Sequence, residues 1–136
     1  MFVTVFYGML NTRTGELEYC NGGHNPPYLL SGNGRVEPLE NISGLVLGAM
    51  ENTKYKEQKI LLKPGETLFL YTDGVTEAVN VNDNEFEMDR LAKCLQRVHG
   101  LPLTEIIQQV VSEVESFSSG VPQADDITIL ALKYLS

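Results

Sequence analysis

The five residues Thr67–Tyr71, TLFLY, place the strongest constraint on the fold of this chain. They are almost continuously apolar, too few for an average helix, and bounded by turn-forming residues: Lys63-Pro64-Gly65-Glu66 before and Thr72-Asp73-Gly74 after. Such a run reads as a strand buried on both faces, which requires packed layers above and below its sheet.

Short strands are also predicted upstream. Phe2–Leu10 is rich in β-branched and aromatic residues, and Gly15 in NTRTGE sits where a tight turn needs positive φ. ELEYCN then returns, so Phe2–Asn21 reads as a β-hairpin. Gly22-Gly23-His24-Asn25-Pro26-Pro27 is a rigid loop, since the prolines have fixed φ and no backbone donor. Tyr28–Leu30 is a short strand, turned at 31–34 and answered by Arg35–Leu39. Residues 41–50, apolar but broken by Gly44 and Gly48, read as loop with a strand-like end, and Tyr55–Leu62 as a strand.

Helical periodicity appears only late. Phe86, Leu91, Leu95 and Val98 recur at helical spacing until Gly100 and Pro102 stop them. Thr104 is the expected N-cap of a second helix with the stripe Ile106, Ile107, Val110, Val111, Val114 and Phe117. Ser118–Pro122 is a linker turn, and Ile127–Leu135 a closing strand. This order predicts one α+β domain over residues 1–136, two antiparallel helices packed on a mainly antiparallel sheet.

At 136 residues and 43% hydrophobic composition the chain can bury a real core. Its net charge of −8, from 18 acidic and 10 basic residues, argues against nucleic-acid binding, which needs a basic face. Cys20 and Cys94 are far apart and carry no CxxC signature. They read as reduced core thiols, with a reducing cytoplasm as the expected location. No apolar run approaches the ~18–20 residues of a membrane span.

Two acidic positions are placed for chemistry. Asp73 follows the most apolar strand and precedes Gly74, while Asp125-Asp126 comes just before the last strand. A carboxylate at a strand end is rigidly held yet reachable from solvent, and a neighbouring glycine lets backbone, water or phosphate approach closely. Hard cations such as Mg²⁺ and Mn²⁺ take oxygen ligands, often only one or two carboxylates plus waters. Each acidic position has a plainer reading too, because Asp-Gly is a common turn dipeptide and Asp before a strand often caps a loop. His24 could act as an acid or a ligand, but a lone loop histidine is more often structural. His99, beside Gly100, is expected to meet the negative end of its helix.

The segments FVTVFYGMLNTRTGELEYCNGGHNPPYLL, LKPGETLFLYTDGVTEAVN and QADDITILALK, in that order, resemble the SpoIIE/RsbU-like branch of the PPM metal-dependent serine/threonine protein phosphatases. The resemblance implies the family's αββα sandwich, of which this chain would hold later strands and one helical layer. It implies a two-metal Mn²⁺ or Mg²⁺ site with Asp73 and Asp125 as ligands, Asp126 beside them, and Gly74, Gly23, His24 and Asn25 nearby. The implied reaction is hydrolysis of phosphoserine or phosphothreonine by metal-activated water. The implied partner is a phosphorylated anti-sigma-factor antagonist in stress or sporulation signalling, and an upstream sensor domain and a homodimer are compatible assemblies. The family's GDxxGHG-type motif, whose aspartate bridges both metals, is not in this sequence. The expectation is therefore a C-terminal part of the domain, inactive alone, with a silent interaction module of the same fold as the other reading.

Overall fold

In a computed structural model the chain is described at residues 3–40, 48, 51–52 and 54–136. Strands β1 (Val5–Leu10) and β2 (Glu16–Gly22) form the expected hairpin, with Leu10 opposite Leu17 and Val5 opposite Gly22. Its turn depends on Gly15, whose φ is +81°; a Cβ there would stand 2.3 Å from the Leu62 carbonyl oxygen. Strand β5 (Gln58–Leu61) pairs with β2, closing a three-stranded sheet in the order β1-β2-β5.

The second sheet is built around TLFLY. Strands β3 (Tyr28–Leu30), β4 (Val36–Pro38), β6 (Thr67–Tyr71) and β7 (Ile129–Lys133) lie in the order β4-β3-β6-β7, all neighbours antiparallel. The alternation of side chains explains the composition of β6. Phe69 and Tyr71 join the core beneath the helices, with Tyr28, Leu30, Leu91, Leu95, Ile106 and Val110. Leu68 and Leu70 point the other way, into a core between the sheets with Leu17, Tyr19, Phe6 and Leu10.

Helices α2 (Glu87–Val98) and α3 (Leu103–Phe117) form the outer layer. They run antiparallel, since Phe86 at the start of α2 meets Phe117 at the end of α3, with ring centroids 5.4 Å apart. A helix layer on a sheet on a second sheet is three of the four layers of an αββα sandwich. Among the described residues nothing covers the outer face of the three-stranded sheet, where Val5, Tyr7 and Met9 are exposed.

Several boundaries differ from the sequence reading. The first strand starts at Val5, with Phe2 outside the described residues. Tyr55–Leu62 narrows to Gln58–Leu61 and Ile127–Leu135 to Ile129–Lys133. Residues 41–50 lie outside the described residues except Gly48. Pro102, not Thr104, caps α3: its carbonyl accepts the Glu105 and Ile106 amides at 3.0 Å, its own backbone being extended at ψ 150°. Proline needs no amide partner and its fixed φ leads the chain into the helix, so Thr104 falls inside the first turn. His99 does meet its helix end, its Nδ1 lying 2.8 Å from the Gln96 carbonyl. Residues Asp73–Thr76, read as a turn, form the one-turn helix α1.

Candidate active site

Antiparallel pairing of β6 with β7 sets Tyr71 opposite Ile129, so the end of one strand meets the start of the other. Thr72 extends the contact. Its amide donates to the Thr128 carbonyl, and its hydroxyl oxygen accepts the Thr128 amide, both at 3.1 Å. This threonine pair brings Asp73 and Asp125-Asp126, 52 and 53 residues apart, to one sheet edge. Gly74 permits the approach, since a Cβ there would lie 2.1 Å from the Asp126 carbonyl oxygen. Pairing of β3 with β6, Tyr28 opposite Phe69, delivers the GGHNPP loop to the same edge.

The result is a cleft of about 290 Å³ walled by Gly23, His24, Asn25, Asp73, Asp125 and Asp126, with Thr4, Thr72 and Thr128. Asn25 Nδ2 donates to Asp73 Oδ1 at 2.8 Å, and the Asp126 amide donates to Asp125 Oδ1 at 2.8 Å. The second oxygen of each carboxylate takes no hydrogen bond from the described residues. His24 is tied into its loop: its amide donates to Asn21 Oδ1 at 2.8 Å, and its Nδ1 donates to the Asn25 carbonyl at 2.8 Å. Among the described residues no three of His, Cys, Asp and Glu converge closely enough to form a metal cage by themselves.

Glu77 also belongs to this neighbourhood. The negative charge of Asp73, then a slight loss of hydration, then Glu85 and Asp125 raise its carboxyl above its ordinary value. The sequence holds one clue to it: Glu77 is four residues beyond Asp73, on the same face of a helix. That spacing has meaning only once Asp73–Thr76 is known to be helical. Two other titratable groups are set by burial instead. The Tyr71 phenol is pushed well up, chiefly by burial, and donates to the Pro26 carbonyl at 3.2 Å, fastening the loop to β6. The Cys94 thiol is pushed up to about 11, chiefly by burial, and both cysteines are free thiols.

Two packed antiparallel sheets under a helical layer, with paired aspartates at one sheet edge, form the fold of the PP2C (PPM) protein phosphatases. The structure of the PP2C phosphatase domain of SpoIIE from Bacillus subtilis, solved with a fragment of its regulatory domain, superposes with a TM-score of 0.77. That match has 20% identity over 96% of this chain and 37% of that one. A manganese-presoaked form of the SpoIIE phosphatase domain gives 0.71 at 19% identity, over 97% and 56%. The chain belongs to the SpoIIE family: the family model for Stage II sporulation protein E (SpoIIE) matches residues 1–135. Protein IcfG of Synechocystis sp. (strain ATCC 27184 / PCC 6803 / Kazusa) is 34% identical over 132 residues, 97% of this chain and 20% of IcfG. Phosphoserine phosphatase RsbU of Bacillus subtilis (strain 168) is 26% identical over 133 residues, 98% of this chain and 39% of RsbU. The chain thus spans a fifth to two fifths of the curated relatives it matches. Among the described residues no helix is long and apolar enough to cross a membrane.

Proposed function

We propose that residues 1–136 carry part of the metal-dependent catalytic site of a protein serine/threonine phosphatase. The observation that carries this reading is the Thr72–Thr128 pairing, which sets Asp73 and Asp125 on the walls of one cleft. The donor set suits a hard cation: carboxylate oxygens of Asp73 and Asp125, with Asp126 beside them and space for water, as Mg²⁺ or Mn²⁺ prefers. The manganese-presoaked SpoIIE domain supports the same class of metal. A bound cation would supply positive charge that offsets the phosphoryl group and acidifies a water.

The chain's own residues hold the ligands in place. Asn25 fixes one oxygen of Asp73, leaving the other to face a ligand. The Asp126 amide does the same for Asp125. Gly74 keeps α1 close against the Asp126 backbone, and Gly23 and His24 form the opposite wall. In this reading the chain is the C-terminal part of one PPM domain, and a preceding segment supplies the remaining bridging carboxylate. The name of RsbU supports phosphoserine as the target. The finer reading is a phosphorylated anti-sigma-factor antagonist as substrate, in a cytoplasmic signalling protein with an upstream sensor domain.

The test is phosphate release from a phosphoserine protein against Mn²⁺ concentration, using the full-length protein. Asp73→Asn keeps the side-chain volume but removes the charge, and should lower turnover by at least about a hundredfold with an unchanged circular dichroism spectrum. Ser112→Ala, on the exposed face of α3, should match wild type. Wild-type turnover in folded Asp73→Asn removes Asp73 from the mechanism. A wild type without Mn²⁺-dependent release leaves a silent interaction module instead.

A further inference from the structure

A second cavity, of about 340 Å³, adjoins the catalytic cleft and shares Asp73 and Asp125 as walls. Its character is different. Val79, Val114 and Ile127 give it an apolar lining, with Val114 only 1% exposed. Glu77 and Glu115 stand at it as exposed carboxylates, and neither forms an ion pair with a described residue. Among the described residues no lysine, arginine or histidine lines it. An apolar lining under unpaired negative charge disfavours an acidic side chain and leaves a purely aliphatic one without a partner for the carboxylates. A long cationic side chain satisfies both features, laying its methylenes on the apolar surface and its charged head among the carboxylates. The volume falls in the range of ordinary binding pockets.

We propose that this cavity receives a lysine or arginine side chain of the phosphoprotein substrate, close in sequence to the phosphoserine held in the adjoining cleft. The inference rests on the phosphatase reading and deepens it, by assigning a specificity pocket that Glu115 helps define. Extended chain advances about 3.3–3.6 Å per residue, so a cavity sharing two walls with the cleft corresponds to a position within about three residues of the phosphoserine.

The experiment uses the full-length protein with Mn²⁺ and phosphoserine peptides in which lysine, leucine or glutamate is placed singly at each of the three positions on either side. Turnover of p-nitrophenyl phosphate by wild type, which has no flanking residue, tests the phosphatase reading separately. Lysine at one position should raise kcat/KM about fivefold over leucine, mostly through KM, the scale of one partly exposed ion pair. Glutamate there should lower it. Glu115→Gln should shrink the lysine preference and Glu115→Lys should invert it in favour of glutamate. Absence of p-nitrophenyl phosphate turnover sinks the phosphatase reading and this inference with it. With that turnover present, indifference of wild type to the flanking residue overturns the pocket alone. So does a lysine preference that survives in both Glu115 variants.

Discussion

Glu77 illustrates how the site works at the scale of single residues. Its carboxyl titrates above its ordinary value, chiefly because Asp73 is close and negative. The folded state therefore binds that proton more tightly than the unfolded chain does. The stabilisation from protonation is complete below the unfolded-state value of about 4.3 and disappears as pH rises through the higher folded-state value. At pH 7 without divalent cations, ionised Glu77 opposes folding. Glu77→Gln should accordingly raise Tm in EDTA at pH 7, and the difference should vanish below about pH 4. Thermal melts across pH decide it, and identical Tm values at pH 7 would show that solvent screens the repulsion. Asp73, Asp125 and Asp126 stand out in the sequence as candidate positions because Asp73 follows a recognisable strand and Asp125-Asp126 precede another, each beside turn chemistry. Glu77 does not, because one helical turn is too short to show a period. The role of Asn25 as donor to Asp73 depends on a contact across 48 residues.

At the scale of elements, α2 shows how steeply the core and surface faces of one helix differ. Leu95 is fully buried beneath the four-stranded sheet, while Gln96, its neighbour in sequence, is exposed. Leu95→Ala should cost about 2–5 kcal/mol, the lost transfer energy plus the cavity left behind. Gln96→Ala should stay within about 0.5 kcal/mol. Urea denaturation of both variants measures the contrast, and a small loss in Leu95→Ala would mean that the two layers collapse to fill the gap. This helix was legible because four apolar residues repeat on one face. Its partner α3 starts two residues earlier than the capping chemistry of Thr104 suggests, because the carbonyl of the still-extended Pro102 already accepts the Glu105 and Ile106 amides. The strand at 129–133 is shorter than expected because apolar residues, Ile127 before it and Tyr134-Leu135 after it, run past the paired ones.

At the scale of the whole molecule, the exposed apolar residues of β1 matter most. Tyr7 is 63% and Met9 56% exposed on the outer face of an edge strand. An edge strand offers unpaired backbone groups, and an apolar face beside it favours association. Residues 1–136 alone should self-associate with rising concentration, and Tyr7→Lys should weaken that association. Sedimentation velocity over a concentration series reads both. A monomer at all concentrations in wild type would mean that this face is adequately solvated.

Every strand and the two long helices, in their order, are legible in the amino-acid sequence, while the one-turn helix α1 is not. Turn residues, period-two alternation and helical stripes are local properties, and each acts over a few neighbouring residues. The continuous apolar run of β6 further required layers on both sides. The tertiary structure decided which strand ends meet. Division of the strands between two sheets, the Thr72–Thr128 pairing and the approach of Gly74 to Asp126 join segments more than fifty residues apart. Such pairings follow from the competition among all possible strand neighbours for one shared core, so the cleft between Asp73 and Asp125 exists only once the sheet is assembled.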